Sequence, residues 1–120
     1  MDRSFELRNR ARDFARAIAR FTKELPKTMV NIEYSKQIIR SAGSIGANYI
    51  EANDALGRKD FLMKIRIARR EANETTYWLE LLDCPDRMEK NRDSLLDESI
   101  QLGKIFSAIL RTMNNKHGSK

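Results

Sequence analysis

The chain has 120 residues, with 23 Lys or Arg against 17 Asp or Glu, a formal net charge of +6, one histidine and one cysteine. That length holds one domain with a real core and not two. No apolar run approaches the roughly 18 residues that cross a bilayer, and Cys84, being alone, excludes an internal disulfide. The positive surplus permits a polyanionic partner such as RNA or DNA without requiring one.

The N-terminal hexapeptide Met1-Asp2-Arg3-Ser4-Phe5-Glu6 lacks the apolar stretch and small-residue cleavage site of a signal peptide. With the single cysteine, this gives the expectation of a reducing, cytoplasmic setting with no membrane partner, in which the sequon Asn73-Glu74-Thr75 stays unglycosylated.

A helix is predicted over 2–24. Its apolar residues Leu7, Ala11, Phe14, Ile18, Phe21 and Leu25 alternate spacings of four and three, the 3.5-residue period of a narrow stripe that packs on a neighbour at a shallow angle. Pro26 ends it, because the residue before proline is pushed out of the α region. Thr28 and Asn31 are alternative N-caps for a second helix, whose stripe Ile38, Ala42, Ile45, Tyr49, Ala52 and Leu56 runs to Gly57. Gly43 and Gly46 lie inside that helix, where glycine costs about 1 kcal/mol relative to alanine. The apolar period passes through them, so they predict a close backbone approach rather than a phosphate loop or the GxxG clamp of RNA-binding KH domains.

The third helix, from Gly57 to about 83, carries Phe61, Ile65, Ala68, Ala72, Thr75, Leu79 and Leu82 on its stripe, with Asp60 in its first turn. Cys84-Pro85 closes it. The polar run 86–92 reads as a linker, Asp93 or Ser94 as the cap of a fourth helix, and Leu95, Ser99, Leu102, Phe106, Ile109 and Met113 as its stripe. One domain over 1–114 and a tail over 115–120 follow. Four such helices with short connections predict an all-α, antiparallel up-down-up-down four-helix bundle.

Several apolar residues fall off these stripes. Phe5, Ile50 and Ile100 take outward positions, Tyr77 lies just beyond the seam, and Trp78 sits at its edge. Widening of the core accounts for residues beside the seam, such as Ile39, Leu96, Ile105 and Leu110. The outward ones predict a second buried face, hence a homo-oligomer with Phe5, Ile50, Tyr77, Trp78 and Ile100 at its interface.

Little in the chain supports catalysis. His117 is the only histidine and lies near the C-terminus, so no Ser-His or Cys-His relay assembles within one fold. A di-iron bundle needs Glu-x-x-His on two helices, and Glu51, Glu71 and Glu74 come without it; Glu71 and Glu74 read as partners for arginines, Arg40 foremost. No metal, cofactor or catalytic residue is expected, and no phosphate-loop or dinucleotide fingerprint is present.

The positive charge is clustered instead. Arg8, Arg12, Arg16 and Arg20 recur every four residues on the solvent side of the first helix. Arg58, Lys59, Lys64, Arg66, Arg69 and Arg70 crowd the first half of the third against Asp60 alone, with Lys59, Arg66 and Arg70 on one outward strip. Guanidinium forks suit phosphate oxygens, and a basic helical strip is the electrostatic footprint of nucleic-acid binding. A solvated face balanced by Glu6, Asp13 and Glu24 is the competing reading for the first helix.

The block Arg40-Ser41-Ala42-Gly43-Ser44-Ile45-Gly46-Ala47-Asn48-Tyr49-Ile50-Glu51-Ala52 resembles the Arg-x-Ala-x-Ser-Ile-x-x-Asn-Ile-x-Glu-Gly/Ala motif of a bacterial four-helix-bundle family, the proteins encoded in intervening sequences of 23S ribosomal RNA genes. Asp60-Phe61, Lys64-Ile65 and Arg70-Glu71-Ala72-Asn73-Glu74-Thr75-Thr76-Tyr77-Trp78-Leu79 resemble its second block. Gly57 stands where a capping Ser is common, and Tyr49 replaces an Ile. The resemblance spans nearly the whole chain. It implies a ring-like homopentamer, and kinship with the accessory protein of diversity-generating retroelements, which binds nucleic acid and a reverse transcriptase. It implies no enzymatic activity, and it gives Arg40, Ser44, Asn48, Glu51, Glu71 and Glu74 a structural role.

The expected function is therefore a non-enzymatic oligomeric bundle that binds RNA or DNA through its basic strips. The alternative is a protein-interaction scaffold or accessory subunit, for example of a reverse transcriptase, with no nucleic-acid role of its own.

Overall fold

The computed structural model describes residues 3–118 and places them in four helices, α1 (Arg3–Glu24), α2 (Met29–Asn53), α3 (Arg58–Leu81) and α4 (Asp86–Gly118), with no strand among the described residues. The connectors 25–28, 54–57 and 82–85 are too short for anything but antiparallel neighbours. Helices pack in a ring, α1 on α2, α2 on α3, α3 on α4 and α4 on α1, and Tyr49 of α2 reaches across the core to Phe106 of α4, their ring centres 6.0 Å apart. The result is a rod of 53 × 24 × 24 Å.

The stripes become the core. Phe14, Ile18 and Phe21 of α1, Ile38 and Ile45 of α2, Ile65 and Leu79 of α3, and Leu102 and Phe106 of α4 are buried. Each such side chain stabilises the fold by about 1.5–3 kcal/mol when taken from water. Small polar residues fill the seams between them. The Ser41 and Thr75 hydroxyls join α2 to α3 at 2.7 Å, and those of Thr76 and Ser99 join α3 to α4 at 2.6 Å.

Three expectations change at the helix ends. First, α4 begins at Asp86 and not at 93 or 94. Pro85 has its φ set and no N–H to leave unpaired just before the first turn, and Asp86 and Glu89 face the positive end of the helix dipole. Met88 then continues the core one further heptad from Leu95. Arg92, assigned to the linker, instead donates from Nη1 to the Leu79 carbonyl at 3.4 Å, satisfying an acceptor at the end of α3. Second, α2 ends at Asn53, so Leu56 leaves the stripe and is fully exposed. Third, α4 continues through residues 115–118 assigned to a tail, while Ser119, Lys120 and the side chains from Lys116 on, His117 included, lie outside the described residues, as do Met1 and Asp2.

Thr28 is the N-cap of α2, its hydroxyl accepting from the Asn31 backbone N–H at 3.1 Å. Asn31, the other capping candidate, is only 2% exposed and does something else. Its carboxamide bridges connectors 25–28 and 82–85, donating to the Pro26 and Asp83 carbonyls at 3.1 and 2.9 Å. At the opposite end, α1 and α4 stand apart around a cleft of about 690 Å³ lined by Leu7, Tyr49, Phe61, Ile105, Ile109 and Met113. Halfway along this loosest seam, Arg10 donates to both carboxylate oxygens of Glu98 at 2.7 Å, and that pairing holds its guanidinium pKa above the ordinary value.

Candidate nucleic-acid interface

Because Ile65, Ala68, Ala72, Thr75 and Leu79 of α3 face the core, residues 59, 63, 66, 70, 73 and 77 recur at alternating spacings of four and three on the opposite side. Lys59, Met63, Arg66, Arg70, Asn73 and Tyr77 thus form the outermost line of the helix, all exposed. At 1.5 Å per residue the line is about 27 Å long. It is cationic through Lys59, Arg66 and Arg70, neutral at Asn73, aromatic at Tyr77 and acidic one turn later at Glu80.

The described ion pairs leave this line largely uncompensated. Arg66 and Lys59 have no carboxylate within 4 Å among the described residues, and Arg70 has only Glu74, at 3.9 Å. The other cations expected beside them are placed differently. Arg58 opens the first turn in solvent and Arg69 is half-buried beside the strip. Lys64 turns toward α2 and donates to Glu51 at 2.8 Å, a hydrogen bond that raises its ammonium pKa. It holds two helices together and is not free for a ligand.

On α1, Arg8, Arg12 and Arg16 border a shallow groove of about 460 Å³ floored by Ala15, Ala19, Gly43, Ala47 and Ile50. The Arg8 guanidinium lies 5.6 Å from the centre of the Phe5 ring, and Arg12 is 3.2 Å from Asp13. Arg20 is exposed farther along. No backbone crowds either of the glycines at which a close approach was expected. A Cβ on Gly46 would lie 3.4 Å from that of Ala11, whereas one on Gly43 would meet nothing within 4 Å.

The expected interface residues do not form one patch. Phe5 and Ile50 lie on the α1/α2 side, as does Ile39, about 16 Å along α2 from Ile50. Tyr77 and Ile100 lie on the opposite, α3/α4 side, which follows from the ring order of the helices. Trp78 is half-buried, packed against the core. Its ring lies between Tyr34 at 5.8 Å and Tyr77 at 5.5 Å, with its indole N–H buried and unpaired.

The residues given a structural role form a network between α2 and α3. Glu71 is 7% exposed and accepts from the two Arg40 terminal nitrogens at 3.4 Å and from the Ser44 hydroxyl at 3.2 Å. Arg40 also reaches Glu74 at 3.5 Å. Asn48 donates to the Ser44 hydroxyl and carbonyl at 2.9 Å, fixing that hydroxyl for Glu71. Sequence reasoning missed the Asn31–Asp83 and Arg10–Glu98 pairs, whose partners lie far apart in the chain and follow no local period. Among the described residues no three His, Cys, Asp or Glu side chains converge to hold a metal ion, and no helix is long and apolar enough to cross a membrane. Burial pushes the Cys84 thiol pKa up, away from the thiolate.

The sequence model of the 23S rRNA-intervening sequence protein family matches residues 3–108. The chain is also similar to a protein of unknown function from the S23 ribosomal protein family of Bacteroides thetaiotaomicron, known from a crystal structure at 1.70 Å. The two share 37% identity and superpose with a TM-score of 0.78, over 92% of this chain and 99% of that one. No curated protein matches. With the family pattern covering all of α1, α2 and α3 and most of α4, the chain belongs to the family of 23S rRNA-intervening sequence proteins.

Proposed function

We propose that this protein is a non-enzymatic, self-associating helical bundle that binds RNA or DNA through the outer line of α3. The observation that carries the reading is the set Lys59, Arg66 and Arg70, aligned on one exposed line with Glu74, at 3.9 Å, as the one carboxylate within 4 Å among the described residues. Cations already satisfied by the fold, such as Lys64 and Arg10, would contribute little to a ligand. Unpaired, aligned cations attract a phosphate backbone and release its counterions. Phosphate contacts position a nucleic acid without reading its sequence, so discrimination between sequences is weak.

Fluorescence anisotropy with a structured RNA and a duplex DNA tests this at about 50 and 200 mM salt, a range over which a several-phosphate contact weakens by orders of magnitude. Reversing Arg66 and Arg70 to Glu abolishes binding while the oligomer persists. Unchanged affinity in that variant would sink the proposal.

A specific observation favours self-association as part of the same reading. The α1/α2 groove is floored by small residues and by exposed Ile50, a surface on which a second helix pair can lie close. A homopentamer and a reverse-transcriptase partner are what the family resemblance adds. A pull-down whose stoichiometric protein partner survives nuclease treatment would favour the scaffold role over nucleic-acid binding.

A further inference from the structure

Tyr77 is the one aromatic side chain on the cationic line of α3, and it stays largely exposed there. It is 56% exposed. The inward aromatic position beside it is taken by Trp78, whose ring is braced from behind by Tyr34 and touches Tyr77 at a tilt of 57°. Three rings therefore step outward from the α2/α3 seam to solvent, and the last presents a face with rigid support.

Along the helix axis Arg66 and Arg70 are about 6 Å apart and Tyr77 about 10 Å beyond Arg70. Two consecutive phosphates of an extended strand have cations to meet, and the next base along reaches the tyrosine. Asn73 lies between, its carboxamide oxygen turned toward Gly103 of α4. Beyond Tyr77 the surface turns acidic at Glu80, and beside it Glu74 faces Arg40 and Arg70. Those carboxylates repel a backbone that continues past the ring, so the strand contributes a base there and not a phosphate. A paired base cannot offer its face to a side chain, whereas an unpaired one stacks on an aromatic ring regardless of its identity.

We infer that Tyr77 is a stacking platform for an unpaired base, and that the ligand of the α3 line is a single-stranded or looped stretch of nucleic acid held by Arg66, Arg70 and Tyr77. This inference rests on the nucleic-acid reading of the same strip, narrowing it to unpaired strands. The ligand chemistry is shared by RNA and DNA, because ring stacking and phosphate pairing ignore the sugar.

Anisotropy titrations of Tyr77→Ala, Tyr77→Phe and Arg66→Glu/Arg70→Glu against an unstructured RNA 12-mer, the matching DNA 12-mer and the DNA duplex separate the two claims. Tyr77→Ala binds both single strands about tenfold more weakly, the loss of one base–aromatic stack, and leaves duplex affinity unchanged. Tyr77→Phe binds as the parent does. The double reversal loses all three probes. Wild-type affinity in Tyr77→Ala, with the double reversal still defective, overturns the stacking claim and leaves the basic strip standing. Undiminished binding by the double reversal overturns both. Sedimentation of each variant is the control for assembly: a change in oligomer mass in Tyr77→Ala makes the ring a subunit contact and overturns the inference, whatever the affinity.

Discussion

Asn31 and Asp83 are joined twice. The Asn31 carboxamide donates to the Asp83 carbonyl and accepts the Asp83 backbone N–H, both at 2.9 Å, across 52 residues of sequence. With its second N–H on Pro26, this side chain completes the polar groups of two connectors at one end of the rod. Asn31→Leu removes all three bonds and leaves part-buried backbone groups unpaired, at about 1–3 kcal/mol for each group left without water or partner. We expect a loss of about 3 kcal/mol in urea unfolding. Asn31→Asp retains the acceptor and forfeits both donors, and is expected to be destabilised as well. A midpoint within error of the parent for the leucine variant would show that solvent replaces these bonds.

The Arg40–Glu71 contact is asymmetric. The Glu71 side chain is 9% exposed while that of Arg40 is 53% exposed. Arg40→Ala therefore leaves a buried carboxylate with Ser44 alone, whereas Glu71→Gln frees a guanidinium that water and Glu74 can satisfy. Chemical denaturation should rank Arg40→Ala the worse of the two, at about 2 kcal/mol against about 1. The reverse order would mean that Glu71 is wetter than its burial suggests.

Gly43 separates an intrachain role from an interchain one. Within one chain a side chain at this position meets open space, so Gly43→Ala gains about 1 kcal/mol of helix propensity if the protein is monomeric. If a second copy lies along the α1/α2 groove as proposed, Gly43→Leu fills the approach and dissociates the assembly. Light scattering after size exclusion is expected to show the leucine variant at monomer mass with its helical circular dichroism intact.

Cys84 is half-buried beside Pro85, and desolvation raises its thiol pKa above the ordinary range. Thiolate is the reactive form, so a raised value means less of it at any given neutral pH. Alkylation by iodoacetamide is expected to be slower than for a free thiol at pH 7.5, and its half-maximal rate to fall at higher pH than in the urea-unfolded chain. Equal profiles in the two states would remove the burial argument.

The fold was readable where apolar spacing decides it. The stripes through Ile18, Ile45, Ile65 and Phe106 name four helices and their inward faces without help from the rest of the chain. The reading slipped where helices end, for physical reasons. The first turns of α4 carry only Met88 inward, so an apolar criterion misses them, although Pro85 with Asp86 and Glu89 is a helix start by cap and dipole chemistry. Leu56 kept the period of α2 after the backbone had already turned. At the site, the line Lys59–Arg66–Arg70 was legible because outward positions repeat with the same spacing as inward ones. That Lys64 is spent on Glu51, and that Phe5 and Ile100 lie on opposite sides, depends on how neighbouring helices are placed, which no single helix's pattern contains.

The two ends of the rod are built differently, and that gives the molecule a mechanical polarity. At one end Asn31 ties both connectors together; at the other, the start of α1 and the end of α4 flank an apolar cleft of about 690 Å³. The first and last helices are thus two arms tied together at the Asn31 end and joined at the edge of the cleft by Arg10 and Glu98. Their tips share the sparsest packing in the bundle, whereas α2 and α3, which carry the cationic line, share the densest.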